Sequence, residues 1–285
     1  MGINLQKVSF CYNPSKKKIK NIYALADASL SIDSKGEFIC VVGHTGSGKS
    51  TLIQLLNTLL IPTEGDVVID DKIINRKKCD NLRDIKRKIG LVFQFAEYQL
   101  FEETVIKDIE FGPKNFNVAN FEEEAKKACE LVGLDEKFYE KSPFRLSGGE
   151  MRKVAIAGIL ASNPDVLILD EPTVGLDPFT RRELLKLLKD LNNQGKTIII
   201  VTHDMDVVGE MAKRVIVIDD NKIVFDDEKD KLFRNSEFVE KHHLDLPDTV
   251  KILNTVKERF NVDIDVYKYT VMDAYEEIKK VMSYE

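Results

Sequence analysis

The chain has 285 residues, 43% of them hydrophobic and 32% charged, with a formal net charge of −6 at pH 7. That length suits one large domain with an appendage, the composition is that of a soluble globular protein, and the acidic balance argues against a nucleic-acid binder, whose footprint is basic. No apolar run approaches the roughly 20 residues that span a bilayer. The N-terminus lacks the apolar core of a signal peptide, and Cys11, Cys40, Cys79 and Cys129 are scattered without a C-x-x-C spacing, which predicts reduced cytosolic thiols rather than metal ligands.

Extended runs are predicted at residues 5–12 and 28–32, with the polar Asn13-Pro14-Ser15-Lys16-Lys17-Lys18 as a loop between them. Residues 38–42 form an apolar run that leads through a glycine-rich stretch into a helix beginning Thr51-Leu52-Ile53. Residues 65–74 read as a hairpin turning at Asp70-Asp71-Lys72. Residues 91–93, 166–169 and 197–202 are short, continuously apolar and rich in β-branched side chains, the pattern of strands buried on both faces of a parallel sheet. Between residues 104 and 160 the pattern is helical: Phe121, Ala125, Ala128 and Val132 recur at helical spacing and Gly133 ends the run. A second hairpin is predicted where residues 215–218 and 222–225 flank Asp219-Asp220-Asn221. After Pro247, Val250, Leu253, Val256 and Phe260 predict one amphipathic helix, and Val271, Ala274, Ile278 and Val281 another, with Thr270 as its N-cap. Residues 262–269 between them alternate like a strand.

Two distant stretches carry the chemistry. Gly43-His44-Thr45-Gly46-Ser47-Gly48-Lys49-Ser50 fits G-x-x-x-x-G-K-[ST] between a strand and a helix, a loop whose amides cradle phosphates. Lys49 can reach β- and γ-phosphates, and the Ser50 hydroxyl can ligate Mg²⁺. Leu146-Ser147-Gly148-Gly149-Glu150 places bare amides at the start of a helix predicted over 151–160, a second anion site. The strand at 166–169 ends in Asp170-Glu171, where Asp170 can orient Mg²⁺ and Glu171 can polarise an attacking water. Gln94 follows another buried strand and could touch Mg²⁺ or that water, and His203 follows a third and could hydrogen-bond a γ-phosphate. One chain thus carries two half-sites for a nucleotide, which two facing chains would complete.

The ordered set Gly43–Ser50, Gln94, Leu146–Glu150, Val166–Glu171, Gly175-Leu176-Asp177 and His203 resembles the nucleotide-binding domain of an ABC transporter, over roughly residues 3–235. The resemblance implies a P-loop NTPase core of α/β class: a mostly parallel sheet, an antiparallel β subdomain, an inserted helical subdomain at about 104–160 and a small C-terminal α/β extension at 236–285. It implies ATP and Mg²⁺ as ligands, with residues 43–51 including Thr51, Ser147, Gly148, Gly149 and Asp177 on the nucleotide and Ser50, Gln94 and Asp170 on the metal. It makes Glu171, His203 and Gln94 the catalytic group. Tyr12 becomes the aromatic that stacks on adenine, though alone it could equally be a strand-face aromatic.

Residues 92–105 and 108–115, with Leu146–Gly158, are similar to the energy-coupling factor (ECF) transporter ATPases, most closely the second of two paralogues; Ala96 departs from the Pro usual there. Such ATPases pair with a paralogue, a transmembrane T component and exchangeable substrate-binding S components, on the cytoplasmic face of the membrane, and power uptake of vitamins or related micronutrients. Glu97, Glu102, Glu103, Asp108 and Glu110 crowd after Gln94 as an acidic face, which alone could be a solvated charged surface and which the resemblance makes a site for the arginines of a T component. The alternatives are a metal-ion importer or a scaffold or repair ATPase. Repair types insert a long coiled coil between the phosphate loop and Asp170, which is not seen; translation types carry two cassettes per chain, and one phosphate loop is present here.

Overall fold

The computed structural model describes residues 2–14, 22–33, 35–79 and 82–282. In chain order the strands are β1 (Gly2–Phe10), β2 (Leu25–Asp33), β3 (Phe38–Val42), β4 (Glu64–Ile69), β5 (Lys72–Ile74), β6 (Ile89–Val92), β7 (Val166–Asp170), β8 (Thr197–Val201), β9 (Arg214–Asp219) and β10 (Lys222–Glu228). The helices are α1 (Lys49–Leu56), α2 (Arg83–Lys88), α3 (Val105–Asn115), α4 (Phe121–Leu131), α5 (Gly148–Leu160), α6 (Pro178–Asn193), α7 (Met205–Met211), α8 (Lys229–Phe233), α9 (Ser236–Lys241), α10 (Asp248–Phe260) and α11 (Val271–Met282). They form two compact units, Met1–Glu37 with Ser50–Val201, and Phe38–Lys49 with Thr202–Glu285. The tail of the predicted loop after Pro14 lies outside the described residues.

In the first unit, an antiparallel sheet runs in the order β2-β1-β4-β5, with Ile3 opposite both Ile32 and Ile69 and all three side chains buried. β7 pairs in parallel with β6 and with β8, in register Ile89–Val166–Thr197. Every residue of β6 and β8, and all of β7 except Asp170, is buried, which is why these strands read as unbroken apolar runs rather than alternating ones. β6 stops one residue short of the predicted Phe93. In the helical segment Ala125, Ala128 and Val132 of the predicted stripe are buried and Phe121 is half-buried, whereas α5 is buried at four consecutive positions, Val154 to Ala157. Gly112 of α3 lets it cross α5 closely, since a Cβ there would press on the Gly158 carbonyl at 3.1 Å.

In the second unit, β9 pairs with β3 in parallel and with β10 as an antiparallel hairpin. The C-terminal segment has its own small core of Leu253, Ile264, Val266 and Ala274, with Val256, Ile278 and Val281 against it. Residues 262–269 do not form the expected strand. Two of their amides are met by side chains instead of a ladder: Asp265 N–H donates to Glu277 Oε1 at 3.1 Å and Tyr267 N–H to Asp265 Oδ1 at 3.1 Å. The alternation records Ile264 and Val266 turned to the helices, not a sheet. Phe260, expected on the apolar stripe of α10, is exposed at the end of that helix. Thr270 caps α11 as predicted, its Oγ1 accepting from Asp273 N–H at 3.1 Å. The segment is moored by Tyr269, whose hydroxyl donates to Asp230 Oδ1 at 2.5 Å and whose ring lies under the Lys229 ammonium. Burial and that carboxylate push the Tyr269 hydroxyl pKa upward. Asp248 N–H bonds Asp206 Oδ1 at 2.8 Å, tying α10 to α7.

Candidate functional site

β3, buried at all five positions, delivers the chain to Gly43, and α1 begins at Lys49. Between them Gly43, Gly46 and Gly48 take φ of 143°, 83° and 108°, values open mainly to glycine. A side chain at Gly43 would also collide with the Ile218 carbonyl. The loop is braced by Ser47 N–H to His44 O at 3.2 Å and by the Lys49 ammonium, which donates to Gly43 O at 2.7 Å and His44 O at 2.8 Å. The Ser47 side chain is fully buried beneath it. A glycine-rich turn with a cation arched over it is an anion cradle, and it suits polyphosphate. In the same unit His203 is exposed between two anchored residues: Thr202 N–H donates to Val41 O at 3.1 Å, and Asp204 caps α7 by accepting from Asp206 and Val207 amides.

The first unit holds the acidic half. Ser50 Oγ donates to Asp170 Oδ2 at 3.1 Å, so the structure brings together two of the three predicted metal ligands across 120 residues of sequence. A hydroxyl and a carboxylate are hard oxygen donors of the kind Mg²⁺ takes, and the fit is therefore good. Glu171, the next residue, has a left-handed φ of 47° and donates its amide to Val201 O at 2.9 Å. A left-handed conformation in a non-glycine residue stores strain, and such strain clusters at functional positions. Tyr12 is 59% exposed, stands edge-on to Phe10 and places its hydroxyl 3.3 Å from Thr51 Oγ1, which leaves a ring face open.

Gln94 follows β6, and its backbone carbonyl accepts from Arg152 Nη2 at 3.2 Å. The same guanidinium donates through Nη1 to Pro172 O at 2.9 Å and Val174 O at 2.8 Å. Arg152 is almost wholly buried, and burial holds its pKa below the usual arginine value, with Glu97 opposing. This strut between the Gln94 turn and the loop after Glu171 escaped sequence reasoning, since Arg152 stands among Glu150, Met151 and Lys153 with no local signal of its burial.

Ser147 sits at the N-cap of α5 in a reciprocal capping box. Its amide and hydroxyl donate to Glu150 Oε2 at 2.8 and 2.7 Å, and Glu150 N–H returns to Ser147 Oγ at 3.4 Å. Those bonds hold the Glu150 carboxyl below its ordinary range. The helix starts at Gly148, three residues before the predicted 151. Asp177 caps α6, accepting from the amides of Phe179 and Thr180 and from the Thr180 hydroxyl at 2.6 Å. Asp108 is not part of an acidic face: it is buried, and Oδ2 accepts from the amides of Phe101 and Glu102 at 3.1 and 2.9 Å. Glu103 is paired with Lys107 at 3.0 Å, while Glu97 and Glu102 remain part-exposed beside the exposed aromatics Phe95, Tyr98 and Phe101.

Known proteins resemble this chain in sequence and in fold. The ABC transporter family matches residues 25–174. The energy-coupling factor transporter ATP-binding protein EcfA2 of Streptococcus pneumoniae serotype 2 (strain D39) is 47% identical over 91% of this chain and 93% of its own. The protein of the same name from Clostridium tetani is 44% identical over 99% of this chain and 98% of its own. Among solved structures, a dimeric ATP-binding cassette in a post-hydrolysis state bound to ADP and Pi superposes with a TM-score of 0.71 at 34% identity, over 79% of this chain and 98% of that one. The cbiO1 protein of Clostridium perfringens, part of the ABC transporter complex cbiONQ, gives 0.72 at 31% identity over 91% and 98%.

Proposed function

The chain belongs to the energy-coupling factor transporter ATP-binding proteins of the ABC transporter family, and we propose that it is the ATP-binding and hydrolysing subunit of an ECF importer, taking up vitamins or related micronutrients. The observation that carries the reading is the Ser50–Asp170 hydrogen bond, which joins the residue after Lys49 to the strand end that presents Glu171. In this reading residues 1–235 are the nucleotide-binding domain and 236–285 its extension.

The glycine-rich turn binds the phosphates of ATP through its amides, and Lys49 exchanges its two loop carbonyls for β- and γ-phosphate oxygens. Ser50, Asp170 and Gln94 would hold Mg²⁺, which would supply positive charge to neutralise the phosphates. Glu171 receives a proton from the attacking water at its carboxylate, and His203 hydrogen-bonds the γ-phosphate. Tyr12 stacks on adenine, with Thr51 at its hydroxyl. Ser147, Gly148 and Gly149 close over the nucleotide of a facing, paralogous ATPase, and Asp177 lies along that interface. Binding joins the two ATPases and hydrolysis releases them, a population shift that a membrane partner follows.

The partners are that paralogue, a transmembrane T component and S components, met on the cytoplasmic face of the membrane. Among the described residues no helix is long and apolar enough to cross a membrane. Glu97 and Glu102 beside Phe95, Tyr98 and Phe101 supply an apolar, acidic-edged surface suited to arginine-bearing helices of a T component.

The test is made on the complete complex in vesicles. Lys49→Ala should lose ATP binding, whereas Glu171→Gln should keep it, stop turnover by about 10²-fold or more and hold the ATPase pair closed. Wild-type turnover in Glu171→Gln would overturn the assignment of the base.

A further inference from the structure

His44, Asp219 and His242 form one line through the second unit. His44 follows Gly43 in the phosphate loop, Asp219 ends β9 at the hairpin turn, and His242 closes α9 in the C-terminal segment. The Asp219 carboxylate uses both oxygens: Oδ2 accepts from His242 Nδ1 at 2.7 Å, and Oδ1 lies 3.1 Å from His44 Nε2. The other ring nitrogen of His44, Nδ1, is 2.8 Å from the Thr45 carbonyl, an acceptor only, so that nitrogen carries a proton and the imidazole is oriented by its own loop.

The far end of the line is fixed by packing. The His242 side chain is only 12% exposed, its ring lies 4.2 Å from that of Phe238, and Phe238 in turn packs on Phe225 of β10 at 5.5 Å. Asn235 caps α9 by accepting from Phe238 N–H at 3.0 Å, and Val239 is buried. The His242 hydrogen bond, against the opposing effect of burial, is the chief reason the Asp219 carboxyl lies below the ordinary carboxylate range.

We propose that Asp219 and His242 are positioning residues for the phosphate loop, through which the C-terminal segment fixes the His44 turn and so sets the nucleotide affinity of this chain. The proposal rests on the reading that residues 43–50 bind nucleotide. Neither residue touches the nucleotide; they act by restricting the loop to its binding form. Freeing the loop lowers the fraction of chains ready to bind, and apparent affinity falls by that fraction, about 3- to 10-fold for a loop ordered one time in three to ten.

The full chain is tested as wild type, His242→Ala, His242→Asn and Asp219→Asn, with Mg²⁺ and a fluorescent ATP analogue, and the same variants are assayed for hydrolysis in the complete complex. His242→Ala and Asp219→Asn should raise both Kd and KM for ATP about 3- to 10-fold with kcat within about twofold and a melting temperature lowered by no more than about 3 °C. His242→Asn, which keeps an N–H donor near the Nδ1 position, should recover most of the affinity. His242→Ala and Asp219→Asn that bind nucleotide like wild type, or that lose kcat at constant KM, overturn the proposal. A wild-type chain that bound no nucleotide would overturn the loop's assignment and the proposal with it, so the two failures are distinct.

Discussion

Arg152→Met removes the guanidinium strut while keeping most of its volume, and so isolates three hydrogen bonds. The donors reach Gln94 O, Pro172 O and Val174 O at 2.8–3.2 Å from a side chain only 8% exposed. A hydrogen bond from a charged donor contributes about 1.5–3 kcal/mol, and the orphaned carbonyls recover part of this from water, so a net loss of about 3 kcal/mol is expected. With an unfolding entropy of about 2.1 cal/mol/K per residue, the melting temperature should fall by about 5 °C. Gln94 and the loop after Glu171 would also lose their common tether, and hydrolysis should drop by about 10- to 100-fold with little change in ATP affinity. Arg152→Lys should fall between, since one ammonium cannot serve carbonyls on two separate segments. The assays are a thermal melt of the isolated chain and steady-state hydrolysis by the complex. A variant melting within about 1 °C of wild type and hydrolysing ATP normally would refute the strut.

Gly43→Ala should abolish nucleotide binding, because φ of 143° and the Ile218 carbonyl leave no room for a methyl group; equilibrium binding of ATP checks it, and binding at wild-type strength would contradict the loop geometry. Gly148→Ala should leave the isolated chain as stable or up to about 1 kcal/mol more stable, since a Cβ there meets nothing within 4 Å, yet should impair ATP-driven pairing with the partner ATPase in size-exclusion experiments. Glu97→Ala with Glu102→Ala should weaken assembly with the T component, each lost Arg–carboxylate pair costing about 2–5 kcal/mol when desolvated, while ATP affinity of the isolated chain stays constant; unaltered co-purification and uptake would sink that surface.

The parts legible in the sequence are those whose cause is local. Residues 38–42 and 198–201 read as buried strands because each is apolar throughout, and the glycine spacing of 43–48 is dictated by φ values that other residues resist. Ser147 and Glu150 stand three apart, so the early start of α5 is also written there, as a capping box that attention to the bare amides alone passes over. What is not legible depends on partners far along the chain. Nothing near Arg152 says that its guanidinium meets residues 58 positions before it and 20 and 22 after it. Asp108 reads as one more exposed acid until the turn at 101–102 wraps its amides around it. Alternation over 262–269 reports one-sided burial correctly, but whether a ladder forms depends on a neighbouring strand, and here Glu277 and Asp265 answer two of the amides instead.

Gly148 marks where the logic of a single chain ends. A glycine is demanded from within by a left-handed backbone, as at Gly46, or by a close neighbour, as at Gly43 and Gly112. Gly148 has neither: its φ is not positive and a methyl group placed there would meet no atom within 4 Å, although it occupies the first turn of a helix where alanine would be favoured by up to about 1 kcal/mol. The adjoining cap is already complete, with Ser147 and Glu150 satisfying each other, so the turn needs no further group to be stable. A stable, preformed helix start that keeps its outer surface bare is suited to something that arrives from outside the chain. An anion fits it, because the first-turn amides and the helix dipole both favour negative charge. On the proposed reading, the γ-phosphate of a nucleotide held by a facing ATPase supplies that charge, and the half-site is completed only in a pair.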